Sequence, residues 1–373
     1  MRRVQQKPRA NWPATVEHLG FHFHSINDEP YWDESVAYEF SAKEIDELEN
    51  ATQVLENLCL EAVEFVIDHQ LYDRLNIPPK AIELIENSFR ARDKSLYARF
   101  DLAYDGVNPP KMLEYNADTP TSLLEASVIQ WQWLSEIYPD ADQFNSIHEK
   151  LIDAWKNFSA MSKPLHFAGM LDSEEDAQTL HYLLDTAMQA GYETHLIGME
   201  EIGWDGRRFV DLEGRAITTL FKLYPWEWLI NDEFARHLLG APTSFIEPPW
   251  KMVLSNKGIL AILWELFPNH PNLLPASLKA EEIEGPMIRK PFLSREGANI
   301  QLIANQHVIS ETFGPYDKHA YVFQQAFALP NFEGNYPVIG SWIIDGSAAG
   351  IGIREDITPI TTNTSRFIPH FFR

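Results

Sequence analysis

The sequence predicts an α/β protein of several lobes, and three stretches carry that prediction. YARFDLAYDGVNPPKMLEYNADTPTS reads as two strands joined by the turn formers Asp105, Gly106, Asn108, Pro109 and Pro110. LHFAGM, DSEEDAQTLHYLLDTAMQAGY and ETHLIGM read as strand, helix and strand, a βαβ unit. YPVIGSWIIDGSAAGIGIRED reads as a second hairpin around Asp345-Gly346.

Near the start, His22 and His24 alternate in FHFH as on a strand, with no carboxylate or cysteine at metal spacing, so their role is read as structural. Ser41-Ala-Lys-Glu44 has capping-box spacing, and Ile45, Leu48, Val54, Leu55, Leu58, Ala62 and Val66 continue a helical stripe. In the first hairpin, alternate residues share a face, so Arg99 points with Asp101 and Glu114 with Asn116. Antiparallel pairing brings the two pairs together. Two carboxylates and an amide oxygen suit magnesium, and an arginine beside them suits a phosphate; a solvated charged face is the alternative. A helix is expected from residue 122 to 137, starting close to these groups.

In the βαβ unit Asp172 or Ser173 would cap the helix and Gly191 would end it. WDGRRFVDLEG and AITTLFKLYPWEWL complete a Rossmann-like lobe without a GxGxxG fingerprint, which argues against a dinucleotide. After a helical start at Asn256 come the strand MIRKPF, a glycine-containing loop at 294–299, and the strands NIQLIA and YVFQQAF. Lys257, Lys290 and that loop supply mobile cations and a pliable backbone of the kind that closes over phosphates.

Composition narrows the function classes. The chain has 373 residues, 45% hydrophobic and 12% aromatic, which is a packed composition. Its 54 acidic against 30 basic residues give a formal charge of −24, which argues against a nucleic-acid partner. No apolar run is long enough for a bilayer, and no h-region follows Arg2-Arg3. With a single cysteine, Cys59, read as a buried thiol, a cytoplasmic location is expected. The sequons at Asn157 and Asn363 then carry no weight. G-x-S-x-G, HExxH, P-loop and paired CxxC motifs are missing.

Those runs, together with HFHSINDEPYW, FKLYPWEW, NHPNLLP, FQQAFALP, GIGIRED and RFIPHFF, resemble the synthetase half of glutathionylspermidine synthase, and most closely its stand-alone acid–amine ligase relatives. The resemblance covers nearly the whole chain. It implies an ATP-grasp fold with a Rossmann-like pre-ATP-grasp substrate lobe and a mobile lid lobe. The implied lobes are a core part at 1–162, the Rossmann-like lobe at 163–250, the lid at 251–330 and strands returning to the core at 331–373. It implies ATP and Mg²⁺, with Asp101, Glu114 and Asn116 as metal ligands and Arg99 as the cation that stabilises the transition state. Lys257 and Lys290 match lysines that hold the phosphates, Glu296 and Gly297 the loop over the nucleotide, and Gln324 and Gln325 the segment lining the adenine. Arg354 lies near the nucleotide by the same resemblance, with an exposed salt bridge as the alternative. The loop 294–299 is expected to be mobile without nucleotide.

Thr119, Thr121 and Ser122 could orient a substrate carboxylate or simply cap the next helix. Glu227, between tryptophans, could receive an ammonium group or face solvent. The activity so implied is amide formation between a small-molecule acid, such as glutathione, and an amine, such as spermidine, through an acyl phosphate. The amidase domain of the bifunctional synthase has no match in the sequence, so hydrolysis of the conjugate is not expected. The alternatives are a nucleotide-binding protein or ATPase that makes no bond, and kinase-type phosphorylation of a stable acceptor.

Overall fold

Period-two alternation in the strand Tyr97–Ala103 decides where the chemistry lies. Ala98, Phe100 and Leu102 face one hydrophobic core, packed against the long helix Ala42–Asp68. Tyr97 faces a second core shared with Trp342, and Arg99 and Asp101 share its side of the sheet. On the paired strand Lys111–Asn116, Tyr115 stacks on Phe100 with ring centroids 3.9 Å apart. Glu114 and Asn116 are thereby left on the face of Arg99 and Asp101.

A computed structural model of the chain describes all residues except 27, 159–163, 317–319 and 363. Both sequons and the 162/163 lobe boundary touch residues outside that set. The two hairpins of the sequence reading form one antiparallel sheet of five strands, ordered Arg366–Ile368, Ser347–Asp356, Tyr336–Ile344, Tyr97–Ala103 and Lys111–Asn116. The turn at Asp345-Gly346 has positive φ at both residues, as a two-residue hairpin of the sheet's twist requires. Its outer strands thus return to the sheet that carries the first hairpin.

The capping box at Ser41 and Glu44 is present in both directions. The helix expected at 122–137 is present over 123–137, with a π-helical turn, Glu125–Ile129, inside it before Gln130–Ile137. Such turns widen a helix locally and recur at functional sites. Residues 21–24 form no strand, contrary to the alternation of FHFH. The backbone N–H of His22 donates to the Gln178 side chain of a neighbouring helix, and Phe21 is buried, so side-chain anchors replace a strand partner.

The βαβ unit is present as Leu165–Gly169, helix Glu174–Gln189 and Thr194–Gly198, with Ser173 as the cap and Gly191 just past the end at φ +92°. The sheet is parallel and ordered Ser244–Ile246, Thr219–Leu223, Leu165–Gly169, Thr194–Gly198. A third sheet contains Ala276–Ser277, Tyr321–Gln325, Met287–Pro291, Gln301–Ala304 and His307–Glu311. Its last strand was not foreseen, because it is exposed along its whole length and has no buried face to pattern it. Cys59 is buried, as read. Among the described residues, no helix is long and apolar enough to cross a membrane.

One buried ion pair ties the parallel sheet to the first hairpin. Lys222, fully buried, donates to Asp118 Oδ1 at 2.6 Å, and the Trp226 N–H donates to Asp118 Oδ2 at 2.8 Å. Burial pulls the lysine pKa down and Asp118 opposes it. Removing one member of such a pair leaves a charge without a partner in a dry site. Lys222→Met is expected to cost about 3–5 kcal/mol in urea unfolding, a loss that a surface lysine replaced in the same way would not show.

Candidate active site

The antiparallel register sets Arg99 opposite Asn116 and Asp101 opposite Glu114, so the four residues singled out in the sequence form one patch. Arg99 is 6% exposed and Asp101 3%. Arg99 donates through Nε to Asp101 Oδ1 at 2.7 Å and through Nη1 to the Thr121 carbonyl at 2.7 Å. Arg354, from the second hairpin, donates to Asp101 Oδ2 at 2.6 Å. It is therefore part of this patch, which removes the exposed salt bridge as its reading. Burial opposes the charge on Arg99, yet Asp101 and Glu114 keep its pKa raised.

Gly340 lies across the sheet from Asp101, and a Cβ there would stand 2.8 Å from Arg99 Cδ. Arg99 has no slack to move, being bonded at both ends of its guanidinium. Gly340→Ala is expected to misplace Arg99 and to weaken binding of pyrophosphate at this patch at least tenfold, for which ~1.4 kcal/mol suffices, while the melting temperature moves little.

The third sheet brings Lys290 to the same place, and Lys257 joins it from the turn before the helix Ile259–Leu266. Ile288 and Lys290 line the cavity on one face of their strand, whereas Arg289 turns away to stack on Tyr321. Lys290 Nζ donates to the Leu113 carbonyl and to Gln324 Oε1, each at 2.8 Å. Burial lowers its pKa to about 8, with Glu114 working the other way. Lys257 Nζ donates to the Ser294 carbonyl at 2.6 Å and lies 3.4 Å from Glu114 Oε2. Removal from water opposes ionisation of Glu114, but Lys257 and Lys290 hold its carboxyl well below the usual range. Gln324 is 2% exposed and also donates to the Met112 carbonyl, so its amide fixes Lys290. Gln325 lines the cavity alongside it.

Glu296 and Gly297 line the same cavity, of about 380 Å³, and both have positive φ. A Cβ on Gly297 would meet the Thr361 carbonyl at 2.3 Å, so no other residue fits there. The residue between Ser294 and Glu296 was not singled out in the sequence. Arg295 donates to Thr119 Oγ1 at 2.7 Å and to Glu227 Oε1 at 2.8 Å, tying the loop to the segment after the first hairpin and to the short helix Trp226–Leu229. Glu227 therefore faces neither solvent nor an open ammonium site. Ser122 does not cap a helix either: its φ is +67° and its hydroxyl meets Tyr31 Oη at 3.0 Å.

The far end of the cavity is acidic, which sequence reading also missed. Glu175, Asp176 and Glu296 line it, with Glu125 behind, where it accepts from Tyr31 Oη at 3.0 Å. Burial, then Glu175, raises the pKa of Asp176 to about 7, and the same two causes raise Glu125 to about 7. Glu296 was singled out for its loop, whereas Glu125, Glu175 and Asp176 are hidden in the sequence as ordinary acidic residues of a helix's first turn.

Among the described residues, no three His, Cys, Asp or Glu side chains form a metal cluster. Asp101, Glu114 and Asn116 instead offer two carboxylates and one amide oxygen on neighbouring strands. That hard-oxygen set fits magnesium, which keeps part of its shell for phosphates and water.

A family model described as "Glutathionylspermidine synthase preATP-grasp" matches residues 3–373. The chain belongs to the glutathionylspermidine synthase family. A Haemophilus influenzae protein named "Putative acid--amine ligase" is 44% identical, over 100% of both chains. Trypanothione synthetase of Crithidia fasciculata is 29% identical, over 84% of this chain and 53% of that protein. The bifunctional glutathionylspermidine synthetase/amidase of Escherichia coli is 28% identical, over 92% of this chain and 60% of that protein. The chain thus spans somewhat over half the length of the latter two. A crystal structure titled as a "Putative gamma-glutamylcysteine synthetase" of Methylobacillus flagellatus superposes with a TM-score of 0.50 at 10% identity, over 86% of this chain and 88% of that one. At that identity it speaks for the fold alone, and the fold is of the ATP-grasp type.

The raised pKa of Asp176 has a sign that can be tested in this family member. A carboxyl whose folded pKa lies near 7 and whose unfolded value is ~3.9 binds its proton more tightly when folded. Its contribution to stability is present at low pH and is lost as pH rises through about 7. The melting temperature of Asp176→Asn minus that of the wild type is therefore expected to increase from pH 5 to pH 8. A flat difference would show that the carboxyl is not shifted.

Proposed function

We propose that the protein is an ATP-dependent ligase that joins the carboxylate of a small acid to an amine, forming ADP and phosphate. The observation that carries this reading is the polarity of the cavity. At one end Arg99, Lys257, Lys290 and Arg354 face only Asp101 and Glu114, which leaves two positive charges unmatched in a chain of net charge −24. The magnesium complex of ATP is a dianion and balances them. At the other end Glu175, Asp176 and Glu296 supply the opposite charge, suited to an ammonium group.

Carboxylate and amine do not condense in water, because hydroxide is a poor leaving group. Phosphorylation of the carboxylate by ATP solves this, since phosphate can then leave as the amine attacks. In this reading Lys257 and Lys290 hold the phosphates and Arg99, fixed by Asp101 and the Thr121 carbonyl, covers the charge on the transferring group. Asp101, Glu114 and Asn116 would hold magnesium, which would supply positive charge against that of the phosphates. Loop 294–299, pinned by Arg295, would close over the nucleotide and keep water from the acyl phosphate. Asp176 and Glu125, poised near neutral pH, would take the proton an ammonium must lose before it attacks. Glutathione and spermidine are the first candidates because the relatives' names contain them.

Phosphate release from Mg-ATP, with glutathione and spermidine singly and together, followed by mass spectrometry, tests the reading. The expected product has the mass of acid plus amine less water, and Arg99→Ala is expected to slow it on the order of 10³-fold or more. ATP hydrolysis without that product would keep the acid-activating step and require other substrates. Tight ATP binding with no phosphate release in any mixture would replace the ligase by a nucleotide-binding protein.

A further inference from the structure

We propose that a second cavity, beyond the carboxyl edge of the four-stranded parallel sheet, receives the tail of the amine substrate, and that this tail is apolar and of aromatic size. The proposal rests on the ligase reading for its first half, the identity of the reacting group, and on separate observations for its second. The cavity encloses about 440 Å³, within the roughly 300–1,000 Å³ of small-molecule sites. Its position in the sheet is that of a ligand site. Strands Leu165–Gly169 and Thr219–Leu223 are parallel neighbours, and the chain departs from them toward opposite edges of the sheet. The crevice past their carboxyl ends is the topological switch point, where open α/β sheets take ligands. Met170 and Tyr224, which follow the two strands directly or within one residue, both line the cavity.

The lining decides the chemistry. Phe209, Phe234 and Phe245 supply aromatic walls, with Phe209 and Phe245 edge to face at 6.3 Å between ring centroids. A ring entering among them finds the same geometry. Glu200, Asp232 and Glu233 stand on the rim, and no Lys, Arg or His lines the cavity. Carboxylates are repelled there and a cation is drawn in. An inner ammonium of a polyamine, however, would lose its water among phenylalanine and leucine side chains. A monoamine with an apolar tail meets no such cost.

The two cavities meet at one residue. Met170 lines both and keeps 42% of its surface exposed. Glu175 and Asp176 follow it by five and six residues and line the first cavity, so the flexible thioether of Met170 is the side chain shared by the acidic end and the second cavity.

Calorimetric titration of the full chain with 4-phenylbutylamine and with spermidine, without ATP, tests the proposal apart from turnover. Expected is tighter binding of 4-phenylbutylamine, weakened roughly tenfold or more by Ala235→Trp, which fills the cavity, and also by Phe234→Ala, which removes a wall. Melting curves of both variants report whether they fold. Tighter binding of spermidine by the wild type would overturn the proposal, as would unchanged affinity in the folded variants. Failure of the ligase reading would appear elsewhere, as absent phosphate release with every amine, while these affinities held.

Discussion

Asp101 is the point on which the site depends. It is almost fully buried and held from two sides by Arg99 and Arg354. Removing Asp101 would leave the buried Arg99 without its carboxylate partner, and removing either arginine would leave Asp101 held from one side only. The clamp adds a side-chain link between the two hairpins, which already pair within one sheet. With Lys257 and Lys290 added, more positive charge is gathered than Asp101 and Glu114 can neutralise. In a low-dielectric cleft that surplus is a standing demand for an anion, and a polyphosphate meets it better than a lone carboxylate.

Much of this was legible in the sequence, because period-two alternation is exact and short strands have few ways to pair. Once Phe100 and Tyr115 are assigned to the core, Arg99, Asp101, Glu114 and Asn116 have only one face left. The lysines were legible only as cations of a suitable kind, since nothing local says that Lys290 turns inward while Arg289 turns out. Arg295 was hidden by its neighbours. A glycine loop draws attention to its backbone, whereas the hydrogen bonds of Arg295 reach Thr119 and Glu227 in distant segments. The acidic end was hidden by the ordinary habit of helices to begin with carboxylates. FHFH failed for a related reason: alternation marks which residues face inward but does not supply a strand partner.

The parallel sheet contributes shape more than charge. Its βαβ unit sends a helix start toward the first cavity and leaves its carboxyl edge toward the second. The buried Lys222–Asp118 pair fixes that sheet against the first hairpin, so the acidic and cationic ends of the cleft are held at a set separation. A site that must bring two substrates and a nucleotide together depends on such rigidity, because a misplacement of about 1 Å can cost 10²-fold in rate.

The strand order of the five-stranded sheet also says when the site can exist. Tyr97–Ala103 lies between Lys111–Asn116 and Tyr336–Ile344, and Arg354 arrives on the strand after that. During synthesis the ribosome delivers Arg99 and Asp101 more than two hundred residues before the partners that cover them. Until then the strand has an open edge and a buried-type arginine in water, a state that favours pairing with other chains. The cation cradle is thus completed only when the second hairpin emerges, because Arg354 is the fourth of its four members.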